Sequence, residues 1–236
     1  MKSVFEKPSC KECDVRFKTY FNILSDEDLR DLSIEKTCTL YKRNQTIYHE
    51  GTSPNGLYCV NSGKIKKFRN GENGKEQIIQ FIAPGQLFGI KAVIEGSKYT
   101  TTTTAIEDSL VCFINNRKIF HLIMKYPNLT NYMLISLSRM LEEAETRMAS
   151  IALKTVRQRV AESLLILVNT YKSDDSNTQF ELRISREDLA NSVGSATETV
   201  IRILKEFKEA RLISINGRSI IVLDFFGLMK ISNIDC

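Results

Sequence analysis

The sequence predicts an α+β chain in three parts: a strand-rich N-terminal half, one long central helix, and a helical C-terminal end closed by a hairpin. Three observations carry this. Residues from about 20 to 125 alternate short apolar runs with glycine-punctuated turns. From Leu134 the apolar spacing changes to three and four. After Ile184, two helix-start signals flank a glycine, and an Asn-Gly pair follows inside a β-rich run.

In the first part, strands are expected at 45–48, 56–60, 64–68, 77–82 and 109–114, with Gly51, Gly63, Gly71, Gly74, Gly85 and Gly89 at turns. Many short strands with regular turn signals suggest a barrel or roll. The central helix carries Leu134, Leu137, Leu141, Ala144, Met148 and Ile151 as a narrow apolar seam. Arg139, Glu142, Glu143, Glu145 and Arg147 lie between them. One reading is an amphipathic helix packed on its own domain. The narrow seam and charged remainder favour the other, a pairing of two copies into a homodimer. A second helix is expected from Val156 to about Tyr171, buried through its 164–168 run, with a polar loop over 172–178.

The segment 184–207 holds the informative pattern. Ser185 with Asp188 resembles a capping box that starts one short helix, buried through Leu189, Ala190 and Val193. Gly194 permits a tight turn. Ser195 with Glu198 repeats the start signal for a second helix, buried through Val200, Ile203, Leu204 and Phe207. Two helices joined by a glycine-containing turn form a helix-turn-helix. The run 212–223 reads as a hairpin around Asn216-Gly217, a wing. Thr197, Glu198, Ile201 and Arg202 fall on the exposed face near the start of the second helix, where a major groove would be met. The plainer readings stand beside this one. Glu198 could simply close the Ser195 box, and Arg202 could be a solvated residue paired with Glu198.

This segment, with the Glu50-Gly51 and Leu57–Lys66 β-roll pattern, closely resembles the cyclic-AMP receptor protein/fumarate–nitrate regulator family over roughly residues 20–225. The resemblance implies a cyclic-nucleotide-binding-like β-roll sensor domain over 1–128, a dimerisation helix over 129–155 and a winged helix-turn-helix over 156–236. It also implies a sequence-specific regulator that acts as a homodimer on palindromic double-stranded DNA, with RNA polymerase as a further partner. Glu198-Thr199-Val200-Ile201-Arg202 matches the family's base-reading E-T-x-x-R pattern. Glu198 and Arg202 are thereby implied at base edges, and Ser185, Arg186, Thr199 and Arg218 near phosphates. Thr197 and Ile201 would flank them.

In the sensor half the resemblance breaks down. In the cyclic-AMP branch of the family, an acid holds the ribose and an arginine the phosphate. Here the aligned effector stretch presents Gly89, Ile90, Lys98, Tyr99 and Thr100, with Ile90 at the acid and Tyr99 near the arginine. An apolar side chain cannot bind a ribose diol, so a cyclic-AMP response is not expected. The fumarate–nitrate branch holds an iron–sulfur cluster on three N-terminal cysteines and one in the β-roll. Cys10, Cys13 and Cys112 match three of these, while Thr19 and Tyr20 stand about where the remaining cysteine should be. A four-iron cluster wants four thiolates, so no metal or other cofactor is expected.

Composition agrees and excludes. Hydrophobic residues at 42% and charged residues at 26% fit a globular chain. No apolar run approaches the roughly 18 residues of a membrane span. The first eight residues offer no signal-peptide core, and six scattered cysteines do not make a secreted disulfide scaffold. A cytoplasmic protein with no membrane partner is therefore expected. The net charge of +5 is compatible with DNA, yet residues 156–236 carry 11 Lys/Arg against 11 Asp/Glu. Charge placement must do the work there. A metal-dependent β-roll enzyme would need a His/Glu constellation, and two isolated histidines, His49 and His121, cannot supply it. Two alternatives remain open: a redox- or oxygen-responsive regulator using the N-terminal cysteines, and a cyclic-nucleotide-type signalling module without DNA binding.

Overall fold

A computed structural model describes residues 7–171 and 180–233. Two short 3-10 turns, Arg16–Lys18 and Tyr20–Ile23, lead into α1 (Asp26–Glu35). There follow β1 (Thr37–Tyr41), β2 (Thr46–Tyr48), β3 (Gly56–Ser62), β4 (Ile65–Asn70), β5 (Glu76–Ile82) and β6 (Leu87–Phe88). Next come α2 (Ile90–Glu95), β7 (Thr102–Ala105), β8 (Ser109–Asn115), α3 (Asn116–Lys125) and the long α4 (Pro127–Leu153). The chain continues through α5 (Val156–Tyr171), β9 (Phe180–Arg183), α6 (Arg186–Val193) and α7 (Thr197–Glu209). It closes with β10 (Ile213–Asn216), β11 (Ser219–Val222) and α8 (Phe225–Ser232). The expected polar loop at 172–178 lies outside the described residues.

The chain divides into two compact units, residues 1–67 with 82–141, and residues 68–81 with 142–236. β1-β8-β3-β6 form one four-stranded sheet, which lies in the first unit, and a second four-stranded sheet has the order β2-β7-β4-β5. Tyr48, Val60, Ile65, Ala105 and Val111 come from both sheets and pack with Tyr99, from the loop before β7, into one buried cluster. Another cluster sets Leu29 and Leu32 of α1, Ile119 and Leu122 of α3, and Leu129 and Met133 of α4 with Leu57 and Ile114 of the first sheet.

All five expected strands form, but the same stretch also holds α1, α2 and α3, which the strand pattern did not predict. The missed signal is capping chemistry. Ser25 caps α1 by accepting from the Asp28 amide at 3.2 Å, and Asn115 caps α3 by accepting from the Lys118 amide at 2.9 Å. Ser25-x-x-Asp28 is the same start signal as Ser185-x-x-Asp188.

In the second unit α5 packs against α6, α7, α8 and β9. Val160, Leu164, Leu167, Leu189, Val200, Phe207, Ile220 and Leu228 are all fully buried. Burial of α5 on several sides follows from this covering, but the expected 164–168 run is interrupted: Ile166 is exposed, while Leu164, Leu165, Leu167 and Val168 are buried. Among the polar members of α5, Glu162 accepts from Lys154 at 2.9 Å and from the Ser150 hydroxyl.

Along α4, Leu134, Leu141, Met148 and Ile151 are exposed by 61%, 61%, 68% and 52%. Leu137 instead packs against the core of the first unit. No helix of the described residues is long and apolar enough to cross a membrane.

Candidate nucleic-acid interface and sensor pocket

Ser185 starts α6 as expected: its Oγ accepts from the Asp188 amide at 2.9 Å and donates to the Asp188 carboxylate at 2.6 Å. Gly194 ends the helix at φ +73°, a left-handed conformation that favours glycine. The Gly194 and Ser195 amides both donate to the Ala190 carbonyl, at 2.9 and 3.1 Å.

The second start signal is corrected. The residue before α7 is Ala196, which has no side chain to cap with, and Ser195 does not form a box with Glu198. Both amides at 194 and 195 are spent on Ala190, so the turn runs one residue further than the serine. The first-turn amides of α7 are left without a side-chain acceptor.

On α7, Val200, Ile203, Leu204 and Phe207 face the core. Glu198, Ile201 and Arg202 are exposed, and Thr197 and Thr199 half-buried. Arg202 does not pair with Glu198. Its guanidinium donates to Glu206 at 3.0 Å, one turn towards the C-terminus. Such an exposed i, i+4 pair is worth only about 0.3–0.5 kcal/mol, so Arg202 is easily released.

The wing is also shifted by one residue. Asn216 pairs with Ser219, so the central pair of the turn is Gly217-Arg218, with Gly217 at φ +55°. Residue β-propensity alone did not reveal β9, which pairs with β11 and makes the wing three-stranded. Arg218 at the tip is exposed. Arg186 faces the same turn: its guanidinium lies 3.3 Å from the Gly217 carbonyl and 3.4 Å from that of Arg218. Partial burial lowers its pKa.

The aligned effector residues do not converge on a pocket. Ile90 is buried in the cluster with Leu57 and Ile114, while Tyr99 is buried in the other cluster. The Tyr99 ring stacks on Tyr48 at 3.8 Å, and its hydroxyl donates to the Gly56 carbonyl at 3.3 Å. Burial raises the pKa of both phenols, so they remain neutral donors. Lys98 and Thr100 are exposed and Gly89 is half-buried. Ile90 and Tyr99, the residues aligned with the acid and the arginine, are thus both committed to packing.

A cavity opens elsewhere, lined among others by Cys10, Cys13, Cys59, Cys112, Lys36 and Asn61. Register explains the thiols. Cys112 on β8 stands opposite Cys38 on β1 and opposite Cys59 on β3, which sets three thiols in a row across adjacent strands. The sulfurs of Cys38 and Cys112 are 2.7 Å apart. The bond from Cys112, followed by the charges of Lys36 and Lys7, holds the Cys38 thiol down at about 7. Burial pushes Cys59 up to about 12. Cys13 accepts from the Asn61 amide group at 3.3 Å.

Neither residue at the position of the missing N-terminal cysteine offers a ligand. Thr19 is committed to the Arg16 carbonyl and the Phe21 amide, and Tyr20 stacks on Tyr132 at 5.3 Å. Cys112 is engaged by Cys38. Among the described residues, no three Cys, His, Asp or Glu side chains are grouped to hold a metal ion.

An amphipathic second helix behind a tight turn, with a wing beside it, is the geometry that presents side chains to a major groove. Residues 158–231 match the family of Crp-like helix-turn-helix domains, and residues 39–126 match the cyclic nucleotide-binding domain. The protein is a DNA-binding transcription regulator. The chain is 32% identical over 191 residues to the transcriptional regulatory protein btr of Bordetella pertussis, spanning 80% of this chain and 78% of that one. It is 28% identical over 225 residues to the transcriptional activator protein FnrA of Stutzerimonas stutzeri, covering 94% and 92%. It belongs to the cyclic-AMP receptor protein/fumarate–nitrate regulator family. The structure of FixK2 from Bradyrhizobium japonicum shares its fold, with a TM-score of 0.76 at 22% identity over 85% of this chain and 99% of that chain.

Proposed function

We propose that the chain acts as a homodimer whose two α7 helices read the half-sites of a palindromic promoter sequence, under an effector other than cyclic AMP. The observation that carries the dimer is the exposed stripe Leu134, Leu141, Met148 and Ile151 on α4. Four large apolar side chains in one line on a helix want a partner, and a second copy supplies the same line by symmetry. Glu198 and Arg202 carry the base reading. Arg202 presents a planar fork that matches guanine O6 and N7, and a carboxylate accepts from cytosine N4. Thr197 and Ile201 can touch thymine methyl groups beside them. Ser185, Thr199, Arg186 and Arg218 stand near the phosphates, and the uncapped first-turn amides of α7 add donors of the kind phosphates favour. Activation rather than repression is supported by the relative FnrA, whose name is that of a transcriptional activator, and RNA polymerase is the further partner that activation would engage.

Leu141→Glu tests the dimer, because an inward charge loses apolar burial and leaves an unpaired ion. Sedimentation is expected to give monomers, with operator binding greatly weakened. An intact dimer for that variant would sink the assignment. Selection of binding sites is expected to return inverted half-sites about one helical turn apart.

A further inference from the structure

We propose that Cys38 and Cys112 form a redox dithiol, which a peroxide or a small-molecule disulfide converts into a disulfide joining β1 to β8. Geometry carries this. The two sulfurs already touch at 2.7 Å, and the residues are direct partners in an antiparallel ladder. Directly opposed antiparallel residues hold their Cα atoms about 4.5–5.5 Å apart, inside the roughly 4.4–6.8 Å that a disulfide spans. The bond therefore forms without backbone movement. Cys59 also stands opposite Cys112, but it is buried and its thiol is directed to the Val60 carbonyl oxygen, 3.8 Å away.

Access divides the roles. Cys38 is half-buried and meets the oxidant first, whereas Cys112 is buried behind it. Lys36 is buried beside them, with the thiols of Cys112, Cys10 and Cys38 around its ammonium. That is the electropositive setting in which a thiol reacts. With a peroxide, the Cys38 thiolate attacks one oxygen, the O–O bond breaks, and the departing hydroxide takes a proton to become water. The resulting sulfenic acid is attacked by the Cys112 sulfur; the S–S bond forms and a second water leaves. Two thiols lose two electrons and two protons, and the peroxide gains both. With a small-molecule disulfide the same two attacks release two thiols.

The test uses the full-length protein, reduced, freed of reductant, and exposed separately to hydrogen peroxide and to oxidised glutathione. Thiols counted after denaturation are expected to fall from the six of the sequence to four per chain. Mass spectrometry of the unreduced digest should find the Cys38 peptide joined to the Cys112 peptide, and dithiothreitol should separate them. Cys38→Ser should abolish the link and Cys59→Ser should leave it. Mapping the unsubstituted protein keeps the test independent of whether either variant folds. Six surviving thiols, a Cys10–Cys13 link or a link between chains would each overturn the proposal. So would stoichiometric iron and sulfide in protein purified without dioxygen.

Discussion

The two units treat their polar positions in opposite ways. In the helix-turn-helix unit, the side chains matching the family pattern, Glu198 and Arg202, stand on the exposed face of α7 with no packing role. In the β-roll unit, two of the aligned effector positions lie in the interior, Ile90 in one apolar cluster and Tyr99 in another. Surface residues can change or persist without disturbing a fold. A ligand site built inside a roll is different, because once apolar side chains occupy it, their packing becomes part of the stability of the domain.

That contrast predicts that the old effector position cannot be recovered by one residue. Ile90→Glu restores the acid of the family pattern but places it in a fully apolar cluster. A loss of several kcal/mol is expected in denaturant unfolding, with no micromolar binding of cyclic AMP by calorimetry. A stable variant that gains such binding would break the comparison. Next in size is Phe207→Ala, which empties the buried side of α7 without touching its outer face. About 3–5 kcal/mol of stability should be lost, again read from denaturant midpoints.

The outer face should respond in affinity rather than stability. Arg202→Ala is expected to cost about 1–3 kcal/mol at its G·C pair and to relax preference there. Arg218→Ala should instead weaken all sequences alike and reduce the salt slope by about one. Titrations against the operator and its single-base substitutions separate the two, and a uniform loss for Arg202→Ala would make it a backbone contact. The smallest effect belongs to Glu206→Gln. It removes the Arg202 partner, so stability should change by no more than about 0.5 kcal/mol, while operator affinity rises slightly as a negative charge leaves the interface.

Much of the C-terminal unit was legible because its signals are local. Ser185-x-x-Asp188, Gly194 and the Val200–Phe207 spacing each fix a few neighbouring residues, and the structure shows them doing so. The errors there are single-residue shifts, at Ala196 and at Gly217-Arg218, set by which amide reaches which carbonyl. The β-roll was less legible. Helices α1 and α3 hid among strand-like runs because each rests on a single capping residue, Ser25 or Asn115, that the strand pattern takes no account of. The thiol row was invisible, since positions 38, 59 and 112 become neighbours only through strand register, which no local spacing encodes.

Arg186 has a consequence for how quickly and tightly DNA is held. By bridging from the first turn of α6 to the carbonyls of Gly217 and Arg218, its guanidinium fastens a two-residue tip that would otherwise sample many orientations. The entropy of ordering that tip is therefore surrendered when the domain folds, not when the duplex arrives. Preorganisation of this kind strengthens a complex without adding any contact to it. Under the proposed phosphate contact, the Arg218 side chain would gain from the bond its own carbonyl accepts, because a stiller tip holds its guanidinium in place.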